Sequence, residues 1–247
     1  MSRARVVEQY GDLPRQRGEW WLPAEPGPRP TVVLVHGGYW RDAYDLTLED
    51  RVADDLAARG FLVWNVDYRP SSAGWPATLE DVAAAYDHLA TSDRVDPTRI
   101  SVVGHSAGGH LALWLASRQN LPAGAPGSDC RAPRPAAVVA QAPVAALAHG
   151  ARARLGDGGD AVQALLGGEP GDVPERYAVA DPLALLPTGV RTLCVHAADD
   201  PLVPIVQSEI YCRAADLAPL QRVGRGHFEH LDPASDSCVA MREGLAQ

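Results

Sequence analysis

The chain has 247 residues, with 22 basic and 31 acidic side chains and a formal charge of −9. That length suits one sizeable α/β domain with a single core, and the acidic balance argues against an electrostatic grip on nucleic acid or anionic lipid. The longest apolar runs are strand-length, so no membrane span is expected.

Residues 1–10 carry Arg3, Arg5 and Glu8 and no apolar core segment. They do not read as a secretory signal, and a cytoplasmic location is expected. Residues 4–10 and 19–22 are short and separated by turn residues, which predicts an antiparallel start to a sheet. Residues 31–36 (TVVLVH) then read as a buried strand, as do 61–67 (FLVWNVD), 100–104 (ISVVG), 136–141 (AAVVAQ) and 191–196 (RTLCVH). These runs are continuous and rich in β-branched residues, as parallel strands covered on both faces require. Helical spacing lies between them. Residues 48–59 place Val52, Leu56 and Ala57 on one face, with Gly60 as the stop signal. Residues 79–90 do the same with Val82, Tyr86 and Leu89, behind Pro76. The alternation predicts an α/β fold over residues 1–247, a mostly parallel, doubly wound sheet with helices on both faces.

Two stretches depart from this rhythm. Residues 121–135 (LPAGAPGSDCRAPRP) predict a long surface loop. Residues 144–187 are rich in Ala, Gly, Pro and Asp and predict a short cap or lid excursion over the C-terminal edge of the sheet. Residues 217–223 are strand-like. The four cysteines match no zinc or C-x-x-C spacing, and Cys194, inside an apolar run, reads as a small buried hydrophobe.

The chemistry rests on three motifs and their order. Gly104-His105-Ser106-Ala107-Gly108 follows the strand 100–104 and precedes a helical run, the strand–turn–helix setting that G-x-S-x-G needs. Ser106 is presented there at a helix N-terminus, where the dipole helps hold developing negative charge. Asp199-Asp200-Pro-Leu-Val-Pro204 lies just past the strand 191–196. Asp200 is preferred as the acid that orients a histidine, with Asp199 as a turn or solvent-facing residue. His227 sits in the Gly-flanked loop Gly224-Arg-Gly226-His227-Phe228 and is preferred as general base over its rival His230. A fourth element, His36-Gly37-Gly38-Tyr39-Trp40, ends the strand 31–36. Its glycines let main-chain N–H groups turn toward an oxyanion. The expected donors are Ala107 and either Gly38 or Tyr39, with His36 bracing the loop.

The order Ser106, Asp200, His227 and the motifs themselves resemble the α/β-hydrolase superfamily over essentially the whole chain. HGGYW and GHSAGGHLAL look like the esterase branch that includes hormone-sensitive-lipase-like enzymes and kynurenine formamidases (arylformamidases). The former usually read H-G-G-G, whereas Tyr39 stands third here. The H-G-G-x-W form with Trp40, Asp67-Tyr68-Arg69 and Asp181-Pro182-Leu183 are closer to the latter. The resemblance implies a triad of Ser106, Asp200 and His227, an oxyanion hole of Gly38, Tyr39 and Ala107, and hydrolysis of a small ester or amide through an acyl-enzyme. An acyltransferase on the same fold, or a non-catalytic binding protein, are the alternatives.

Other residues carry less. Trp40, Trp75 and Phe228 are candidates to line a substrate pocket, against the plainer role of packing. His105 and His110 lack metal-ligand spacing, so neither metal nor cofactor is expected. Gly156–Asp160 (GDGGD) reads as a solvated turn, and His88 and His149 as surface residues without partners. The expected partner is a small-molecule substrate, with a homodimer allowed.

Overall fold

The computed structural model describes residues 4–25, 27–215 and 220–246. In chain order its strands and helices are β1 (Arg5–Gln9), β2 (Arg17–Trp21), β3 (Arg29–Val35), α1 (Asp50–Ala58), β4 (Leu62–Val66), α2 (Ala77–Asp87), β5 (Val95–His105) and α3 (Ala107–Ser117). There follow β6 (Ala137–Gln141), α4 (Leu147–Arg152), α5 (Ala161–Leu166), α6 (Pro174–Ala180), β7 (Arg191–Val195), α7 (Val206–Ala215), β8 (Leu220–Gln221) and α8 (Asp236–Ala246).

One sheet holds these strands in the order β1-β2-β4-β3-β5-β6-β7-β8. The β1–β2 and β2–β4 pairs are antiparallel; every pair from β4 to β8 is parallel. β3 shows why both faces must be apolar. Val33 and Val35 join the core on the α2 and α3 side, while Val32 and Leu34 join the core beneath α1 and α8. Side chains alternate along a strand, so a continuous TVVLV run serves two cores at once. α1 turns Val52, Ala53, Leu56 and Ala57 inward, a helical stripe against that second face. Each buried valine or leucine contributes roughly 1.5–3 kcal/mol relative to exposure. α3 is buried along its whole length, which accounts for its largely apolar sequence; its buried polar members, His110 and Ser117, donate to Ala180 O and Leu113 O.

The antiparallel start follows its expectation, and one glycine there is sterically required. A Cβ on Gly18 would lie 2.4 Å from the Trp64 ring, which stacks on Trp20 at 4.5 Å. Several boundaries differ. The first helix begins as a 3-10 turn at Leu46–Glu49, capped by the Asp45 side chain on Thr47 N, before α1 proper. β5 is twice the expected length because Val95 pairs with Arg29 ahead of a register shift. Of the strand-like residues 217–223, only Leu220–Gln221 form strand, and 217–219 lie outside the described residues. Residues 1–3 of the N-terminal reading also lie outside them. His88 and His149 are not partnerless: His88 bonds Glu8 at 2.7 Å and stacks on Trp64, and His149 meets Gln207 at 3.1 Å. Residues 144–187 contain α4, α5 and α6. No helix among the described residues is long and apolar enough to cross a membrane.

Candidate active site

The loops that leave the C-terminal ends of β3, β5 and β7 meet the loop after β8 at one edge of the sheet. Between β5 and α3 the chain turns on Ser106 alone, with φ 57° and ψ −117°. That conformation is costly for a residue with a Cβ, of order 1–3 kcal/mol. It is held by the Ser106 N–H on Gln141 O (2.8 Å) and by His110 N–H on Ser106 O (3.1 Å). The flanking glycines are obligatory. A Cβ on Gly104 would lie 2.1 Å from Gly108 O, and one on Gly108 2.0 Å from Val35 O.

The loop after β3 passes directly over this turn. A Cβ on Gly37 would meet Ser106 Cβ at 3.1 Å and His105 O at 2.9 Å. Gly38, Tyr39 and Trp40 all have positive φ, two of them with bulky side chains. The strain is over-determined by contacts. The Tyr39 hydroxyl donates to Leu202 O (2.7 Å) and Ser71 N–H donates to Trp40 O (2.7 Å). His36 stacks on Tyr68 at 4.2 Å, donates from Nδ1 to Gly37 O, and lies 3.3 Å from Asp67; Tyr68 donates to His36 O. Burial and the nearby Asp200 charge push the Tyr39 phenol up to about 12, so it stays a donor at neutral pH.

Asp200 and His227 come together from loops 27 residues apart, with His227 Nδ1–H donating to Asp200 Oδ2 at 2.7 Å. The other carboxylate oxygen accepts from Leu202 N–H and Val203 N–H, both at 2.9 Å. Burial alone would raise this carboxyl. Hydrogen bonds from His196 and His227, the His227 charge and the Val203 amide hold it well below the usual carboxylate range. It is therefore an ionised acceptor that keeps the proton of His227 on Nδ1 and leaves Nε2 free to take one. Between Ser106 Oγ and His227 Nε2 no hydrogen bond forms. Such contacts commonly tighten only when substrate binds. The rival His230 is 1% exposed, and neither of its ring nitrogens has a protein partner. Burial, then the charges of His196 and His227, push its pKa down to about 3.

Other candidates divide. Phe228 is 55% exposed and edge-on to His227 at 5.2 Å, at the rim of the site. Trp75 is half-buried, with the Arg176 guanidinium 5.9 Å over its ring. Trp40, expected as a pocket residue, is only 1% exposed and packs edge-on against His110, so its contacts here are with protein. Asp160 of the GDGGD turn accepts from Arg41 at 2.9 Å, tying residues 144–187 to the loop after β3. Among the described residues no three His, Cys, Asp or Glu side chains are placed to hold a metal ion.

Sequence reasoning missed three residues around Asp200 and His227. His196 Nε2 lies 3.4 Å from Asp200 Oδ2, with its Nδ1 accepting from Ser208. Asp199, read as a turn or solvent-facing residue, is exposed and also accepts from Gly226 N–H at 2.8 Å. His105 donates from Nε2 to His227 O at 2.8 Å. Only His196 left a sequence signal, its i, i+4 spacing to Asp200.

The BD-FAE family model matches residues 20–214. Among curated relatives, a probable isoprenylcysteine alpha-carbonyl methylesterase, ICMEL1 of Arabidopsis thaliana, is 33% identical over 109 residues, 42% of this chain and 22% of that protein. Esterase LipC of Mycobacterium tuberculosis is 33% identical over 130 residues, 49% of this chain and 31% of that protein. The kynurenine formamidase of Drosophila melanogaster is 32% identical over 97 residues, 37% of this chain and 31% of that protein. The matched part thus spans between a fifth and a third of these relatives' length. Among solved structures, a truncated carbohydrate esterase from gut microbiota superposes with TM-score 0.82 at 22% identity, covering 99% of this chain and 96% of that one. Esterase B of Lactobacillus rhamnosis gives 0.80 at 19%, covering 99% and 84%. The sheet order, the turn at Ser106 and the family match over most of the chain lead to one conclusion: the protein has the α/β-hydrolase fold and belongs to the BD-FAE family.

Proposed function

We propose that this protein hydrolyses a small ester or amide through an acyl-enzyme, with Ser106 as nucleophile, His227 as general base and acid, and Asp200 as its orienting acid. The observation that carries the reading is the buried Asp200–His227 pair, whose carboxylate is pinned by two backbone N–H groups. His227 Nε2 takes the Ser106 proton as Oγ attacks the substrate carbonyl. The N–H groups of Ala107 and of Gly38 or Tyr39 receive the oxyanion, at a helix N-terminus where the dipole favours negative charge. His227 then returns its proton to the leaving group, and water repeats the sequence on the acyl-enzyme. Residues 144–187 serve as a cap, held by the Arg41–Asp160 pair.

Ester hydrolases and kynurenine formamidases both stand among the relatives, and short esters and aryl formamides are the two substrate classes to be separated. The test pairs an active-site serine phosphonate probe with a panel of aryl formamides, short-acyl nitrophenyl esters and lactones. Wild type should be labelled and Ser106→Ala should not. A folded wild-type protein that resists the probe and turns over none of the panel would overturn the proposal. Turnover confined to nitrophenyl esters would remove the formamidase reading and leave the esterase.

A further inference from the structure

Asp200 orients the His227 ring but does not hold its main chain. Residues 222–228 form no helix or strand, and Gly226, with φ 60°, turns the chain immediately before the base. Arg225 N–H donates to Glu229 and the Ser237 hydroxyl to Val223 O, and two further hydrogen bonds tie the loop to the segments that carry Asp200 and Ser106. The Gly226 N–H donates to Asp199 Oδ1 at 2.8 Å, and His227 O accepts from His105 Nε2 at 2.8 Å. Each clamping residue is the chain neighbour of another triad member: Asp199 precedes Asp200, and His105 precedes Ser106. One bond therefore sets the base against the acid loop, and the other sets it against the nucleophile turn.

We infer that Asp199 and His105 are positioning residues for His227, a two-point backbone clamp that fixes the main chain of the general base against the segments that carry Asp200 and Ser106. The inference rests on the reading of His227 as base. The chemistry of both groups suits the task. His105 is buried, and its ring lies 4.6 Å from that of His227. Burial, then the charges of His230 and His227, keep it neutral, so it has a single N–H, and that N–H is committed to His227 O. Asp199 is exposed, and it accepts the main-chain N–H of Gly226, the residue directly before the base. The clamp matters because a misplacement of about 1 Å in a catalytic group can cost on the order of 10²-fold in rate.

The experiment compares Asp199→Ala, Asp199→Asn, His105→Leu and His105→Gln with wild type, at concentrations set by phosphonate active-site titration so that misfolded molecules are not counted. Asn keeps the acceptor oxygen without the charge, and Gln keeps an N–H donor of comparable reach. Asp199→Ala should lose about 10- to 100-fold in kcat per titrated site with KM within about twofold. Asp199→Asn should recover to within about threefold of wild type, and His105→Gln should exceed His105→Leu by about tenfold. If His105→Leu does not fold, the Asp199 pair decides by itself. Wild-type kcat per site in Asp199→Ala, or an Asp199→Asn as slow as Asp199→Ala, overturns the clamp. His227→Ala separates the two readings. If it keeps full turnover, the base assignment fails and the clamp with it. If it is inactive while Asp199→Ala and His105→Leu match wild type, the clamp alone fails.

Discussion

Glu49→Gln should abolish a pH dependence that one buried carboxyl imposes on the stability of the fold. Glu49 closes the 3-10 turn ahead of α1, is 1% exposed, and has a buried Oε1 without a protein partner. Burial pushes its pKa up from 4.5 to about 8. The native chain therefore keeps a proton that the unfolded chain has already released. Its contribution is fully present below pH 4.5 and is lost as pH rises toward 8. Across that window each pH unit costs about 1.4 kcal/mol, on the order of 5 kcal/mol in all by pH 8 and above. Glutamine is neutral throughout but adds buried N–H groups, a penalty of about 1–3 kcal/mol that does not change with pH. The stability curves of the two proteins should cross. Wild type is equal or more stable at pH 5, and the variant is more stable at pH 9 by about 2–4 kcal/mol, on the order of 10 °C in Tm for a chain of this size. Urea titrations and thermal melts of both proteins at pH 5, 7 and 9 measure the difference. The other titrating groups are common to both and cancel. A difference that stays constant from pH 5 to 9 would refute the reasoning.

Two substitutions probe the candidate site. Asp200→Asn puts an amide where His227 Nδ1–H now donates, which favours the opposite tautomer and leaves Nε2 protonated. kcat/KM should fall by about 10³- to 10⁴-fold, and steady-state kinetics within tenfold of wild type would remove Asp200 from the mechanism. Gly37→Ala adds a methyl 2.9 Å from His105 O and 3.1 Å from Ser106 Cβ, which forces the loop after β3 away from Ser106. On the proposed mechanism kcat should drop about 10²-fold with KM little changed, as the N–H groups assigned to the oxyanion move out of range; kcat within threefold of wild type would show that the loop accommodates the methyl without moving them.

Much of the architecture was legible because it depends on local composition. Strands buried on both faces read as unbroken apolar runs, and α1 as a helical stripe. The turn at Ser106 was visible because its glycines answer local clashes with Gly108 O and Val35 O. The choice of Asp200 over Asp199 as the partner of His227 followed from D-P-L-V-P, where the carboxylate caps the amides of Leu202 and Val203 two and three residues on. Between the two roles weighed for Trp40, pocket lining and packing, sequence could not choose, since an aromatic beside a glycine loop gives no sign of which side it packs on; in the fold it packs against His110.

The sequence by itself thus determined the parallel strands, the turn at Ser106 and the local motifs around Asp200 and His227, because each is dictated by residues within a few positions of one another. Only the tertiary structure decided what holds His227. His105 meets His227 across 122 residues and Asp199 meets Gly226 across 27. Such contacts leave no periodicity in the chain, since they exist only once the parallel strands bring their C-terminal loops to one edge of the sheet.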